Sequence, residues 1–261
     1  MSALPSQHRP KKRYGQHFLH QTDIVHRIIT AINPQPGDTV LEIGPGEGVL
    51  TLPLLERCAT LTVIELDTDL IEPLRRRAHG HGLLKIIHGD VLQTDLGELA
   101  AGRPLRIVGN LPYYISSPIL FHSLRYAACI QDMHFMLQRE VVERMAASPG
   151  GKEYGRLSVM LQLVCRVEPL FQVPANAFRP PPKVESAMVR LIPERASGLD
   201  GVDLARLEHI VRAGFSQRRK ILANALRGLL DAEAIRALGL RPEARAETLS
   251  PAEFIRLAQL S

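Results

Sequence analysis

Val40-Leu41-Glu42-Ile43-Gly44-Pro45-Gly46-Glu47-Gly48 decides the fold of this chain. A short strand-forming run, Thr39–Ile43, leads into three glycines at alternate positions, and a helical stretch follows near Gly48–Arg57. Glycines after a strand let the backbone turn sharply and approach a ligand where a side chain would clash. The spacing is G-x-G-x-G, with Val49 where a dinucleotide fingerprint needs its third glycine. That spacing disfavours a nicotinamide dinucleotide.

Outward from this loop, short β-branched runs alternate with helical patterns from Asp38 to about Leu137. The pattern predicts further strands over Leu61–Leu66, Leu84–His88, Leu105–Val108 and Met133–Leu137. Helices are expected near Asp69–Ala78 and Pro118–Tyr126, and together these elements describe a parallel sheet with crossover helices. Upstream, Asp23 is expected to cap a helix that runs to Ile32 and is stopped by Asn33-Pro34. The character changes after Ile192: Pro193 to Gly201 is a joint containing proline, glycine and serine. Leu204–Phe215, Lys220–Leu230, Ala232–Leu238 and Pro251–Leu260 then carry apolar residues at helical spacing. The expected organisation is a basic arm over 1–20, an α/β domain over 21–193 and a helical domain over 200–261. The last has about 60 residues, a size that folds alone only marginally.

Two further strand ends carry acids. Glu65 lies 21 residues after Gly44, the spacing at which a carboxylate meets ribose hydroxyls in nucleotide-binding sheets. Asp90 closes His88-Gly89-Asp90 at the next strand end, where a carboxylate can accept from an adenine amine. Ligands of open α/β sheets bind at this carboxyl edge, so the three strand ends describe a nucleoside pocket.

Composition narrows the function classes. Hydrophobic residues make up 45% and charged residues 23%, as in a soluble globular protein. The longest apolar runs, such as Val159 to Val164, are too short to span a bilayer, and the first residues show no signal-peptide pattern, so no membrane association and a cytoplasmic location are expected. Cys58, Cys129 and Cys165 are widely spaced, and His79 and His81 lack cysteine or acidic companions, so no disulfide framework and no metal site are expected. The net charge of +5 suits a polyanionic partner. The charge is clustered: Arg9, Lys11, Lys12 and Arg13 lie together without an acid, as do Arg218, Arg219 and Lys220.

The chemistry is suggested by Val108-Gly109-Asn110-Leu111-Pro112-Tyr113-Tyr114. The lone pair of an aromatic amine is delocalised into its ring, which makes it a poor nucleophile. An amide oxygen and a backbone carbonyl that accept from both N–H groups favour a pyramidal nitrogen. Proline stiffens that backbone, and an aromatic ring stacks on the base. Asn110, Leu111, Pro112 and Tyr113 supply these parts in four residues. An amine held in this way could attack an electrophilic carbon by in-line displacement, driven by proximity and orientation. It needs no strong base, because the alkylated amine is acidic enough to lose its proton to water.

The glycine loop, Glu65 and Asp90 resemble the class I, Rossmann-like methyltransferases, whose cofactor is S-adenosylmethionine. That resemblance implies Gly44 and Gly46 against the cofactor's amino-acid end, Glu65 on its ribose and Asp90 near its adenine amine, with S-adenosylhomocysteine as product. Asn110-Leu111-Pro112-Tyr113, together with Gly15-Gln16-His17-Phe18-Leu19, is more specific still. With these motifs the chain resembles the ribosomal RNA adenine dimethyltransferases, and within them the bacterial small-subunit members, from about Lys12 to Leu226. The likeness includes Phe178-Arg179-Pro180-Pro181-Pro182-Lys183-Val184-Glu185-Ser186-Ala187 and Phe215-Ser216-Gln217-Arg218-Arg219-Lys220. It implies that His17 and Leu19 close over the cofactor and that Asn110 touches both cofactor and target amine. It also implies that Tyr113 and Phe178 sandwich a flipped adenine, that Tyr114 touches substrate, and that Arg218, Arg219 and Lys220 contact RNA. His17 and Tyr114 depart from the family pattern, which often has Asn at both positions.

The implied activity is dimethylation of the N6 amines of two adjacent adenosines in the hairpin loop near the 3′ end of 16S rRNA. The implied partner is the assembling small ribosomal subunit, met by a monomer. Extruding a loop base costs little, which suits such a substrate. Two competing readings are a large-subunit rRNA adenine methylase of the macrolide-resistance type and a non-catalytic assembly factor. The first generally lacks the Phe-x-Pro-Pro-Pro-Lys-Val-Glu-Ser form, and the intact glycine loop, Glu65, Asp90 and Asn110 argue against the second.

Overall fold

The computed structural model describes residues 10–11 and 15–260. Arg9, Lys12 and Arg13 of the basic arm lie outside the described residues. The chain runs through β1 (Phe18–Leu19), α1 (Thr22–Ile32), β2 (Thr39–Ile43), α2 (Thr51–Cys58), β3 (Thr60–Glu65), α3 (Thr68–Ala78), β4 (Leu83–His88) and α4 (Leu96–Ala100). It continues through β5 (Leu105–Asn110), α5 (Ser116–Leu124), β6 (Ile130–Gln138), α6 (Arg139–Ala146), α7 (Arg156–Gln162), β7 (Cys165–Val173) and β8 (Phe178–Arg179). The last elements are β9 (Ser186–Pro193), α8 (Leu204–Ser216), α9 (Leu222–Ala225), α10 (Ala232–Ala237) and α11 (Pro251–Gln259).

Seven strands form one sheet in the order β4-β3-β2-β5-β6-β9-β7. The five expected strands are present and pair in parallel. Their buried, near-continuous apolar runs (Leu41, Val63, Ile107, Val108 and Phe135 among them) are those of a sheet covered on both faces. From β2 the chain moves outward to β3 and β4, then returns to β5 on the other side of β2. That reversal opens a crevice at the carboxyl ends of β2 and β5. The register keeps those ends level: Ile43 lies opposite Ile64 and Gly109, Glu65 opposite His88, and Asn110 opposite Met136.

The sheet is mixed rather than wholly parallel, because β9 runs antiparallel to β6 and β7 lies beyond it. Neither strand is apparent from the sequence pattern. β7 contains Pro169, which within a sheet an edge strand tolerates, and Arg166 and Glu168 interrupt its apolar run. Two helix expectations also change. Asp23 does not cap α1: Gln21 holds the cap position without a side-chain bond, and Asp23 lies in the first turn. The helix expected over Lys220–Leu230 shrinks to α9, since Lys220 N–H closes a turn on Gln217 and Gly228 adopts a φ of +86°. Leu222, Leu226 and Leu230 keep the helical spacing and are buried, but only Leu222 lies in α9, and non-helical chain presents the other two.

The chain divides into two compact units. The first comprises the residues up to 139 together with 169–193, and the second 140–168 with 194–261. The expected α/β domain over 21–193 therefore loses α6 and α7. Tyr154, Val159 and Leu163 belong to the core built by Leu207, Ile210, Phe254 and Leu257. Within this second unit the Tyr154 hydroxyl donates to the Leu249 carbonyl at 2.8 Å.

A charged cluster is buried in the first unit. Asp132 on β6 accepts from Arg106 Nε at 2.9 Å and from Arg190 Nη2 at 2.9 Å. Arg106 also donates to Asp38 and to the Ile32 carbonyl. His134, two residues along β6, is 1% exposed, with its Nδ1 3.8 Å from Asp132 Oδ1 and no well-formed hydrogen bond to either ring nitrogen among the described residues. Burial holds its pKa down at about 4, against the pull of Asp132. Since the unfolded ring titrates near 6.5, its neutral form supports folding above that pH, and the support is lost as pH falls toward 4. Between pH 7 and pH 4 the stability advantage of wild type over His134→Gln should shrink by about 3 kcal/mol in urea unfolding.

Candidate active site

The carboxyl edge of the sheet holds a cavity lined by residues of β1, β2, β3, β5 and the loops that leave them. After β2, Gly44 takes a φ of +66°, and a Cβ there would stand in open space. The backbone is thus bare toward the cavity, in a conformation that side-chain-bearing residues avoid. Gly46 has a second constraint: a Cβ would come within 3.1 Å of the Phe18 ring.

Glu65 ends β3, only 6% exposed, and burial raises its pKa. Two backbone donors hold its carboxylate in place: Asp67 N–H on Oε1 at 2.8 Å and Gly46 N–H on Oε2 at 3.2 Å. Each oxygen retains acceptor capacity for a ligand hydroxyl. Asp90 uses one oxygen to cap the short turn after β4, accepting from Leu92 N–H at 2.9 Å, and it too lines the cavity.

Asn110 closes β5. Its Nδ2 donates to the His17 carbonyl at 3.0 Å. That bond assigns the amide orientation and leaves Oδ1 as the acceptor. Leu111 is buried, with its N–H on the Met136 carbonyl, and Pro112 follows. Tyr113 is half-buried. Its hydroxyl lies 2.6 Å from Ser186 Oγ, and its ring stacks beside that of His17, with centroids 5.9 Å apart. Tyr114 is 60% exposed.

The segment carrying His17 and Leu19 is fastened over this edge. β1 pairs with β8, Leu19 opposite Phe178, and the His17 ring bonds the Pro180 carbonyl at 2.7 Å. Lys11 and Gln16 bind Asp67, the N-cap of α3. Asp67 is buried, which favours the neutral acid, yet these two partners keep its carboxyl below the ordinary range.

His17, Leu19, Gly44, Gly46, Glu65, Asp90, Asn110, Leu111, Pro112, Tyr113 and Tyr114 all line one cavity. Phe178 does not. It is 2% exposed, packed in the core with Leu19 and Met188, and offers no ring face to a base. The expected sandwich with Tyr113 is therefore absent from this arrangement, because β1–β8 pairing turns the ring inward. Arg218, Arg219 and Lys220 are exposed in the second unit. Arg218 is engaged there by Glu247 and by the carbonyls of Lys152 and Tyr154, which makes it a brace within that unit. Among the described residues no cluster of His, Cys, Asp or Glu could hold a metal. No helix among the described residues is long and apolar enough to cross a membrane.

Sequence reasoning missed Glu42 and Ser186. Glu42 is buried beneath the glycine loop and accepts from Thr51 Oγ1 at 2.6 Å, and burial pushes its pKa up to about 8. An acid inside an otherwise apolar strand was its signal. Ser186 stands in the Phe178–Ala187 motif, but nothing there ties it to Tyr113, since only an unforeseen strand brings the two together.

The family model for ribosomal RNA adenine dimethylase matches residues 7–261. A ribosomal RNA small subunit methyltransferase A from Xanthomonas campestris pv. campestris is 56% identical over 250 residues, covering 96% of this chain and 95% of the relative. Among solved structures, a dimethyladenosine transferase from Plasmodium falciparum superposes with a TM-score of 0.79 at 28% identity, covering 92% of this chain and 96% of that one. The 23S rRNA methyltransferase ErmE superposes with a TM-score of 0.73 at 29% identity, covering 93% and 98%.

Proposed function

This chain belongs to the ribosomal RNA adenine dimethylase family, and from that premise we propose that it dimethylates the N6 amines of two adjacent adenosines in the 3′-terminal hairpin loop of 16S rRNA. Its methyl donor is S-adenosylmethionine, and its partner is the assembling small subunit. The observation that carries the reading is Asn110, whose Nδ2 donates to the His17 carbonyl and so leaves its oxygen as the acceptor for an amine N–H.

The residues suit such a cofactor. The bare backbone at Gly44 would admit its amino-acid end, Glu65 would accept from ribose hydroxyls, and Asp90 would accept from the adenine amine. The bound cofactor supplies an electrophilic methyl on a sulfonium. Asn110 Oδ1 and the Leu111 carbonyl accept the two N–H bonds of the target amine, which localises its lone pair. Pro112 keeps that carbonyl in place, and Tyr113 fixes the base plane by stacking. An amine so held would be placed for in-line displacement of the thioether from that methyl, and the methylated nitrogen would release its proton to water. Holding both partners in line is the chain's main contribution to rate. The exposed Arg219 and Lys220 suit phosphate contacts, which would make RNA affinity fall steeply with salt.

Glu65→Ala should weaken S-adenosylmethionine binding by about 1.5–3 kcal/mol in calorimetry, the range for hydrogen bonds to a charged group. An unchanged dissociation constant removes Glu65 from the ribose. The function itself is tested by methyl transfer from labelled S-adenosylmethionine to small subunits from a strain lacking the modification, followed by nucleoside analysis. Dimethyladenosine in the 3′-terminal hairpin is the expected product. The resemblance to the 23S rRNA methyltransferase supplies the second reading, which transfer to large-subunit RNA alone would favour. Cofactor binding without transfer to either RNA would indicate an assembly factor.

A further inference from the structure

Tyr113 is held at both ends. Its main-chain carbonyl accepts from Ser116 Oγ at 3.1 Å, and its phenol oxygen lies 2.6 Å from Ser186 Oγ. Ser186 is fully buried and is the first residue of β9, opposite Gln138 on β6. An antiparallel strand begins where its parallel neighbours end, so β9 delivers its first side chain to the ligand edge. The preceding residue is pinned as well: Arg139 N–H donates to the Glu185 carbonyl at 2.9 Å, and the Arg139 guanidinium pairs with the Glu185 carboxylate. Strand pairing therefore sets where the Ser186 hydroxyl sits. Burial raises the phenol pKa, so Tyr113 stays protonated and keeps a hydrogen to share.

We propose that Ser186 is a positioning residue for the target base: by holding the Tyr113 hydroxyl it fixes the plane of the ring on which adenine stacks. The inference rests on the reading of Tyr113 as that stacking ring. Stacking depends on ring offset and tilt, and in-line attack depends on where the stacked base lies. A phenyl ring without this tether keeps its area but not its fixed orientation.

The test is steady-state kinetics on undermethylated small subunits, with calorimetry for S-adenosylmethionine and melting temperatures alongside. Ser186→Ala and Tyr113→Phe should each lower kcat/KM about three- to tenfold, the worth of one neutral hydrogen bond, mainly through KM for the RNA. Cofactor affinity should not change. The double variant should be no worse than either single one, and Ser186→Thr should recover most of the loss. Multiplying losses in the double variant overturn the proposal, as does an equal loss of cofactor affinity in Ser186→Ala. Should Ser186→Ala fail to fold, Tyr113→Phe removes the same bond without touching the core, and unaltered kinetics there overturn the proposal alone. Unaltered kinetics in Tyr113→Ala would instead sink the stacking role itself.

Discussion

Asn110→Ala should slow methyl transfer by about 100- to 1,000-fold, comparable to removing one oriented polar group from a preorganised site. RNA binding should persist in the variant. Asn110 accepts from the amine most strongly when positive charge develops on the nitrogen, so its loss falls on the transition state more than on the bound substrate. Single-turnover transfer of labelled methyl groups, at saturating RNA and cofactor, reads this directly. Near-wild-type turnover would remove Asn110 from the mechanism. Asn110→Asp is the companion variant. It keeps an acceptor but loses the donor to the His17 carbonyl, and it sets an anion against that carbonyl. It should be as slow as the alanine variant, since an acceptor whose orientation is not fixed is of little use.

Asp132→Ala should lower stability by about 3–5 kcal/mol, because it takes from a buried arginine the more deeply buried of its two counter-ions. Arg106 donates twice to Asp132 and keeps only Asp38 and two carbonyls without it. The guanidinium is pinned there by burial and cannot reach solvent. Burial favours the neutral acid at Asp132, yet bonds from Arg106 hold its carboxyl below the ordinary range. The expected fall in melting temperature is about 10 °C at 2–4 °C per kcal/mol. Asp132 sits near the amino end of β6, remote from the carboxyl edge, so S-adenosylmethionine affinity in the folded variant should match wild type. A melting temperature within about 2 °C of wild type would show that Asp38 and the carbonyls suffice for Arg106.

The sequence alone supports the nucleotide half of the site because that half is local. Gly44, Glu65, Asp90 and Asn110 each stand at the end of a strand whose apolar run is visible, and parallel pairing brings all such ends to one edge. No knowledge of side-chain packing is needed for that conclusion. The substrate half is less legible. Tyr113 reads as a stacking ring from its own motif, yet its partner Ser186 comes from a strand that begins 73 residues later. Phe178 shows the opposite failure: its motif suggests a base contact, and β1–β8 pairing buries it. The helical unit differs from the expectation in its interior and in the segment it takes from before 169. Non-helical chain can bury Leu226 and Leu230 as well as a helix can, and Val159 and Met160 of α7 contribute to a core assembled mostly from residues after 194.

The amino-acid sequence by itself determined the parallel order of apolar strands, the glycine turn and the carboxylates at the strand ends, because backbone conformation and alternation are short-range properties. Only the tertiary structure decided that the Gly15–Leu19 segment orients Asn110, that β9 carries Ser186 to Tyr113, and that Arg106, Asp132 and Arg190 meet in one buried cluster. Those contacts join residues far apart in the chain. Their energy comes from excluding water around paired polar groups, which no local pattern records.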